Sequence, residues 1–264
     1  MNTWLFLEHA AHSPAWNMAC DEWLLKHATV FAKPLLRTYQ WDRPSITIGY
    51  FQPYPKNINA HVVVRRPTGG ALVIHDSDLT FSVVLPPNHD WCKSPICDRY
   101  RKIHERVAKV FELRGVNSKV AIECDQTAPM LSIGSRWALV APRRHPCERK
   151  STEEKIDTTF RPSGRAKEGV ECFAKISKYD VIINNKKVAG GAQRITKEGL
   201  LHQGSIQDGD QPTVSSEELR IAWEKSGSSF EPLILTTEQN NQITQLARDK
   251  FETSKWNHLD FSLK

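Results

Sequence analysis

The segment VRRPTGGALVIHD, residues 64–76, joins a short apolar run, two arginines, a Gly-Gly turn and a second apolar run. Apolar runs on both sides of a glycine turn are typical of paired strands. Paired glycines also let backbone N–H groups approach a ligand closely, as anion and acyl sites require. The alternative is an ordinary hairpin turn with two surface arginines, and these residues alone leave both interpretations open.

The segment DVIINNKKVAGGAQR, residues 180–194, predicts a β-hairpin, because Asn184 and Asn185 form a tight-turn pair between two apolar runs. Lys187 then leads into a strand of very small residues at 189–192. Glycine weakens a strand, so its use there indicates that something passes close to the backbone. A thin hydrocarbon chain would fit. The alternative is a bulged core strand with Lys187 solvated at its edge.

Strands and helices alternate around these two segments, which predicts an α+β fold with a mixed or antiparallel sheet packed against helices in a single domain, 1–264. Ser13 and Pro14 predict the start of a helix that runs to about residue 28. A second, amphipathic helix is predicted from Ile96 to near Gly115, and Thr236 with Gln239 predicts a capping box for the last one. The other predicted strands are 35–41, 45–51, 61–66, 79–85, 179–183 and 200–206.

Composition narrows the class of protein. The chain has 264 residues, 39% of them hydrophobic, and a formal net charge of +6, which favours an acidic partner. No apolar run approaches the roughly 20 residues that a membrane-spanning helix needs, and the N-terminus lacks the pattern of a signal peptide. The six cysteines form no CxxC pair and are predicted to be free thiols in a cytoplasmic protein that does not bind membranes.

Two further segments carry candidate reactive groups. One is His202-Gln203-Gly204-Ser205, and the other is Cys172-Phe173. A basic segment, 142–169, precedes Cys172 and is predicted to be a mobile loop, since it contains almost no large apolar residues. An electropositive surrounding favours the thiolate form of a cysteine. The alternative is that both the histidine and the cysteine are structural, as most such residues are.

Taken together, these segments resemble the octanoyltransferase/lipoate–protein ligase family. That family shows an Arg-Arg-x-x-Gly-Gly turn that ends in His-Asp, a Lys-Val-Ala-Gly-Ser-Ala-Gln strand, and a His/Gln-rich segment that ends in Gly-Ser/Thr. All three occur here in the same order, at 65–76, 187–193 and 202–205. The similarity extends to 13–18, 48–52 and 255–257, so it covers nearly the whole chain.

The resemblance implies a fold like that of the biotin/lipoyl protein ligase catalytic domain and an acyl-transfer reaction. Cys172-Phe173 stands where the thioester-forming octanoyltransferases carry Cys-Phe. By this likeness Cys172 is the nucleophile that takes octanoate from acyl carrier protein, and Lys187 stabilises negative charge on the acyl carbonyl. The acyl group then passes to a lysine of a lipoyl domain or of a glycine-cleavage H-type protein, without a cofactor or a metal. The implied substrate-binding residues are Arg66, Gly69, Gly70, His75, Gly190, Gln193 and His202.

Three departures from the family pattern bear on an alternative, an ATP- and Mg²⁺-dependent lipoate–protein ligase. Ala71 replaces a third glycine that is common in the ATP-dependent ligases, and Gly191 replaces the usual serine. Asp180, in contrast, resembles an acidic residue of the ATP-using enzymes. Under the ligase interpretation Cys172 is incidental, and phosphates lie against the glycine turn and Lys187.

Two non-enzymatic interpretations are less favoured. A nucleic-acid-binding module would use the positive charge and the eight tryptophans, but no zinc, helix-turn-helix or RNP pattern is present. A catalytically idle family member that only binds lipoyl domains would have no need of both Lys187 and Cys172.

Overall fold

The computed structural model describes residues 2–55, 62–122, 173, 176–207, 213–259 and 261. Cys172 and the predicted basic loop 142–169 lie outside these residues. Within them, eleven strands form two sheets: β1 Asn2–His12, β2 Leu35–Trp41, β3 Ser45–Ile48, β4 Val62–Arg65, β5 Val73–His75, β6 Leu79–Leu85, β7 Ser118–Val120, β8 Val181–Ile183, β9 Lys186–Thr196, β10 Gly199–Ile206 and β11 Ser228–Pro232.

The larger sheet has eight strands in the order β11-β1-β2-β6-β10-β9-β8-β7, and the smaller one has the order β4-β3-β5. Strand β1 runs parallel to both of its neighbours, and β3 runs parallel to β4. The remaining pairs are antiparallel. The predicted α+β class with a mixed sheet is confirmed.

Helices cover both faces of the large sheet. They are α1 Pro14–Lys26, α2 Ala28–Phe31, α3 Asp90–Lys93, α4 Ile96–Leu113, α5 Ser216–Lys225, α6 Thr237–Leu246 with a π-helical continuation Ala247–Phe251, and α7 Ser254–Asn257. Helices α4 and α5 pack on one face and α1 and α6 on the other, so each face has its own hydrophobic core.

Local signals place several element boundaries correctly. Ser13 caps α1 through its Oγ, which accepts a hydrogen bond from the Trp16 amide. The capping box at Thr236 forms with both of its reciprocal hydrogen bonds. Asn184 and Asn185 both have positive φ, as the tight turn of the β8–β9 hairpin requires.

Strand β1 is not predicted, because its residues are apolar on both faces. Trp4 packs into one core cluster and Leu5 and Leu7 into the other, so no alternation with polar residues marks the strand. A short run that is apolar on both faces cannot be told from a helical segment by its pattern. Its parallel pairing with β2 and β11 is a tertiary contact that no local signal reports.

The prediction that all cysteines are free thiols is wrong for Cys97, which is disulfide-bonded. Cys20 and Cys92 are free. No helix in the described ranges combines the length and the apolarity that crossing a bilayer would demand.

Candidate active site

A narrow cleft lies between the large sheet, the small sheet and α1, and it is partly open to solvent. Its floor is a row of four residues that face each other across β9, β10, β6 and β2: Gly190, Ser205, Thr80 and Tyr39. Three strand spacings span roughly 14 Å, so the floor is longer than an extended eight-carbon chain. The cleft therefore has the shape to hold a thin, elongated ligand.

The other walls come from α1 and the small sheet. Met18 of α1 and Trp41 of β2 line the floor side, while Thr47, Val73 and His75 come from β3 and β5. The Trp41 ring stacks on His75 at a centroid distance of 4.1 Å. Both rings are buried and pack against each other, which restricts their movement in this part of the cleft.

Lys187 lies at the Gly190 end of the floor and is held by a buried ion pair. Its Nζ is 2.8 Å from Asp180 Oδ2, and the two side chains are 2% and 6% exposed. The same carboxylate oxygen accepts a hydrogen bond from the Ser177 amide at 2.6 Å. The Phe173 ring, which lines the cleft, lies 5.1 Å from Lys187 Nζ. A lysine fixed in this way can place a positive charge beside an acyl carbonyl.

The Lys187 side chain occupies the space next to Gly190 that a larger residue would need. A Cβ added to Gly190 would lie 2.5 Å from Lys187 Cε, 2.7 Å from Nζ and 2.9 Å from Asp180 Oδ1. The small residues of β9 therefore serve first to let the lysine fold back over its own strand. The predicted strand of small residues is present, and the space next to it is filled by the Lys187 side chain.

The glycine turn is held together by Arg66. All five guanidinium N–H groups donate, to the carbonyls of Gly69, Ala71 and Thr47 and to Thr47 Oγ1. Gly70 lines the cleft with φ of +89°, a conformation that favours glycine. Arg66 also lines the cleft, but these hydrogen bonds make it a clasp that joins the glycine turn to Thr47 of β3. Its predicted role in substrate binding stays a prediction.

The Arg65 side chain points away from the cleft and has a structural role. It is fully buried, and it donates to the carbonyls of Gly49, Tyr50, Gln52, Trp256 and Asn257. Burial lowers the pKa of this guanidinium from its usual value. The residue ties the turn after β3 to the C-terminal helix α7.

His202 and Gln193 lie behind the cleft rather than in it. Because strand residues alternate between faces, Gln203 and Ser205 line the cleft while His202 faces α4. Gln193 Nε2 lies 3.1 Å from His202 Nδ1, and its Oε1 accepts from Arg99. Burial, and then the nearby His104, keep the pKa of His202 well below its usual range. The predicted contact of this pair with a substrate has no support in the cleft geometry.

The remaining predicted site residues fall into three groups. Gly70, His75 and Gly190 line the cleft, and Gly69 stands beside it in the turn. Cys172 lies outside the described residues, although the next residue in the chain, Phe173, lines the cleft. Burial raises the pKa of the Cys20 thiol to about 12 and also raises that of Cys92, so neither free thiol has the character of a nucleophile.

Several cleft residues escape the sequence analysis, among them Met18, Tyr39, Trp41 and Thr80. Gln203 and Ser205 belong to the predicted segment 202–205, but the predicted binding residue of that segment is His202. The period-2 alternation of Tyr39 with Trp41, and of Gln203 with Ser205, is the signal that could have placed each pair on one face. Across the described ranges, no three His, Cys, Asp or Glu side chains are grouped as metal ligands. The absence of a metal from the reaction stays a prediction.

Comparisons with known proteins converge on one family. The model of the lipoyl protein ligase A/B catalytic domain matches residues 13–211. The octanoyltransferase LipM of Halalkalibacterium halodurans is 28% identical, over 97% of this chain and 99% of that protein. The octanoyltransferase LipM of Bacillus subtilis is 32% identical, over 77% of this chain and 65% of that protein.

Solved structures share the fold. A lipoate-protein ligase A bound with ATP superimposes with a TM-score of 0.64 at 21% identity, over 97% of this chain and 98% of that one. A bi-partite lipoate protein ligase from Thermoplasma acidophilum, described with its E2 lipoyl domain, gives 0.62 at 20% identity, over 100% and 98% of the two chains. At such low identity these similarities show the architecture alone.

Proposed function

We propose that this chain, which belongs to the family of the lipoyl protein ligase A/B catalytic domain, is an acyltransferase that moves an octanoyl or lipoyl group onto a lysine of lipoyl domains. The observation that carries the proposal is the buried Lys187–Asp180 pair at one end of a narrow cleft. The relatives that match almost the whole chain are octanoyltransferases, which favours octanoyl as the group transferred.

The first chemical step forms an acyl-enzyme thioester. The Cys172 thiolate attacks the carbonyl carbon of the octanoyl thioester on acyl carrier protein. Lys187 lies next to the developing oxyanion and stabilises it, while the floor of the cleft holds the hydrocarbon chain. The carrier's sulfur leaves as a thiolate and takes up a proton, so one thioester is exchanged for another.

The second step forms the amide. The uncharged amine of the acceptor lysine attacks the Cys172 thioester, loses a proton to solvent, and releases the cysteine thiolate. An amide is more stable than a thioester, so this step drives the transfer forward. No nucleotide and no metal takes part. The net charge of +6 steers acidic carrier and lipoyl domains towards the enzyme.

The second candidate is an ATP-dependent lipoate–protein ligase, and the acidic group beside Lys187 favours it. Asp180 resembles an acidic residue of the ATP-using enzymes, and a protein of the same fold binds ATP. Against it, the Asp180 carboxylate is already paired with Lys187, and Arg66 donates its five N–H groups to the glycine turn and to Thr47. Arg66 would have to give up some of these partners to bind a phosphate.

Intact mass spectrometry separates the two candidates. After incubation with octanoyl carrier protein, the wild-type chain gains the mass of one octanoyl group, and hydroxylamine removes it. Cys172→Ala abolishes both the adduct and the transfer, whereas Cys92→Ala, a change to a cysteine that is free in the structure, leaves them intact. Transfer that requires ATP and survives Cys172→Ala would establish the ligase instead.

A further inference from the structure

Asp78 is a buried carboxylate that collects hydrogen bonds from three strands. It stands between β5 and β6, its side chain is 2% exposed, and it does not itself line the cleft. Its Oδ2 accepts from Ser205 Oγ at 2.7 Å and from Thr80 Oγ1 at 2.8 Å, and it lies 2.8 Å from His75 Nδ1. These three partners all line the cleft.

One placement of the hydrogens pairs all of these groups. Arg66 Nη1 donates to Thr47 Oγ1 at 3.2 Å, so the Thr47 hydroxyl hydrogen is available for His75 Nε2 at 2.9 Å. With Nε2 as an acceptor, the neutral His75 ring carries its hydrogen on Nδ1 and donates it to Asp78. One chain of hydrogen bonds thus leads from Arg66 through Thr47 and His75 to Asp78.

A second chain of hydrogen bonds reaches Asp78 from Trp41, which with His75 forms the aromatic wall of the cleft. Trp41 Nε1 donates to Thr80 Oγ1 at 2.8 Å, and Thr80 donates onward to Asp78. An ionised carboxylate only accepts hydrogen bonds, so both chains can end there. Burial raises the pKa of Asp78, but His75 and the donors Ser205 and Thr80 outweigh burial and hold it below its usual value.

We propose that Asp78 is a positioning residue that makes the cleft selective for an unsubstituted hydrocarbon chain. Four polar side chains line the cleft near the aromatic wall: Trp41, His75, Thr80 and Ser205. Asp78 accepts the hydrogens of His75, Thr80 and Ser205, and Thr80 accepts that of Trp41, so none of these four donors is left to face the ligand. An unpaired buried donor would instead cost stability and attract water or a polar ligand. This inference rests on the proposed acyl transfer and adds the basis of its selectivity.

The test is the ratio of kcat/KM for an octanoyl thioester to that for an 8-hydroxyoctanoyl thioester on the same carrier. All three hydrogen bonds end on Asp78 Oδ2, and Asp78→Leu removes this acceptor, so at least one of the three partners must turn towards the cleft. The ratio then falls by about tenfold relative to wild type, which is the effect of one unpaired buried donor. A purely structural role would slow both substrates equally and leave the ratio unchanged.

Two companion variants keep the test decisive if Asp78→Leu folds poorly. Thr80→Val is close in shape and leaves the Trp41 N–H without its acceptor, so it also lowers the ratio. Ser205→Ala removes a donor and leaves the acceptor in place, so the ratio stays near that of wild type even if both rates fall. Asp76→Asn changes an exposed carboxylate two residues away and leaves rates and ratio unaltered.

The outcomes separate this inference from the proposed function. If wild type transfers octanoyl while Asp78→Leu and Thr80→Val both keep the wild-type ratio, the inference is overturned and the acyl transfer stands. If wild type does not use the octanoyl thioester at all, the proposed function fails and the inference fails with it. A lowered ratio in folded Asp78→Leu or Thr80→Val, with the ratio of Ser205→Ala unchanged, supports the inference.

Discussion

Replacing Gly190 with alanine displaces Lys187, the lysine that we propose to act in catalysis, without changing that residue itself. The new Cβ would start 2.5 Å from Lys187 Cε, whereas ordinary contact begins at 3.4 Å. The far end of Lys187 must therefore retreat by roughly 1 Å, and a displacement of that size can cost on the order of 100-fold in rate. At 25 °C this corresponds to about 2.7 kcal/mol of lost transition-state stabilisation.

The same substitution has a small effect on folding. The crowded atoms belong to the flexible ends of Lys187 and Asp180, so they can move without shifting the backbone. Alanine also restricts the unfolded chain more than glycine does, which favours the folded state. We therefore expect the free energy of unfolding of Gly190→Ala to change by no more than about 1 kcal/mol.

A double-mutant cycle tests whether Gly190 acts through Lys187. The assay is single-turnover transfer of octanoyl to a lipoyl domain, with wild type, Gly190→Ala, Lys187→Ala and the double variant. In the Lys187→Ala background the crowding is gone, so Gly190→Ala has no further effect on the rate. A wild-type rate in the single variant Gly190→Ala, or equal losses in both backgrounds, would refute the reasoning.

Three further changes test other parts of the structure. Gly191→Ser lowers the melting temperature by at least about 2 °C, because the new Cβ would lie 2.4 Å from His202 Nε2. Adding His202→Ala recovers part of this loss, and an unchanged melting temperature in Gly191→Ser would contradict the prediction. Burial and then Arg37 lower the pKa of His9 to about 3, from 6.5, so the folded state binds fewer protons than the unfolded chain between these values. The contribution of His9 to the free energy of unfolding is therefore complete above pH 6.5, and it falls by up to about 1.4 kcal/mol per pH unit towards pH 3. In His9→Gln the glutamine keeps an acceptor for Arg37, so urea titrations of this variant should show a shallower fall in stability over the same pH range. Arg66→Lys supplies three donors in place of five and raises KM for the octanoyl donor by about tenfold, whereas an unchanged KM would show that the clasp is dispensable.

The sequence by itself determined the local structure and the order of the site segments. Ser13 before Pro14, the Thr236 capping box and the Asn184-Asn185 turn are decided by hydrogen bonds and dihedral angles within a few residues, so they can be predicted without knowing the fold. The two glycine-containing segments pointed to Gly70 and Lys187 through their order along the chain and their resemblance to a known family.

Only the tertiary structure decided which of these residues meet. His202 and Gln203 are neighbours in sequence, yet one faces the α4 core and the other the cleft, because adjacent strand residues point to opposite faces. Which face becomes the cleft depends on the small sheet and α1, which pack there from distant parts of the chain. Asp78 gains its importance in the same way, since its partner Ser205 is brought to it only by the pairing of β6 with β10.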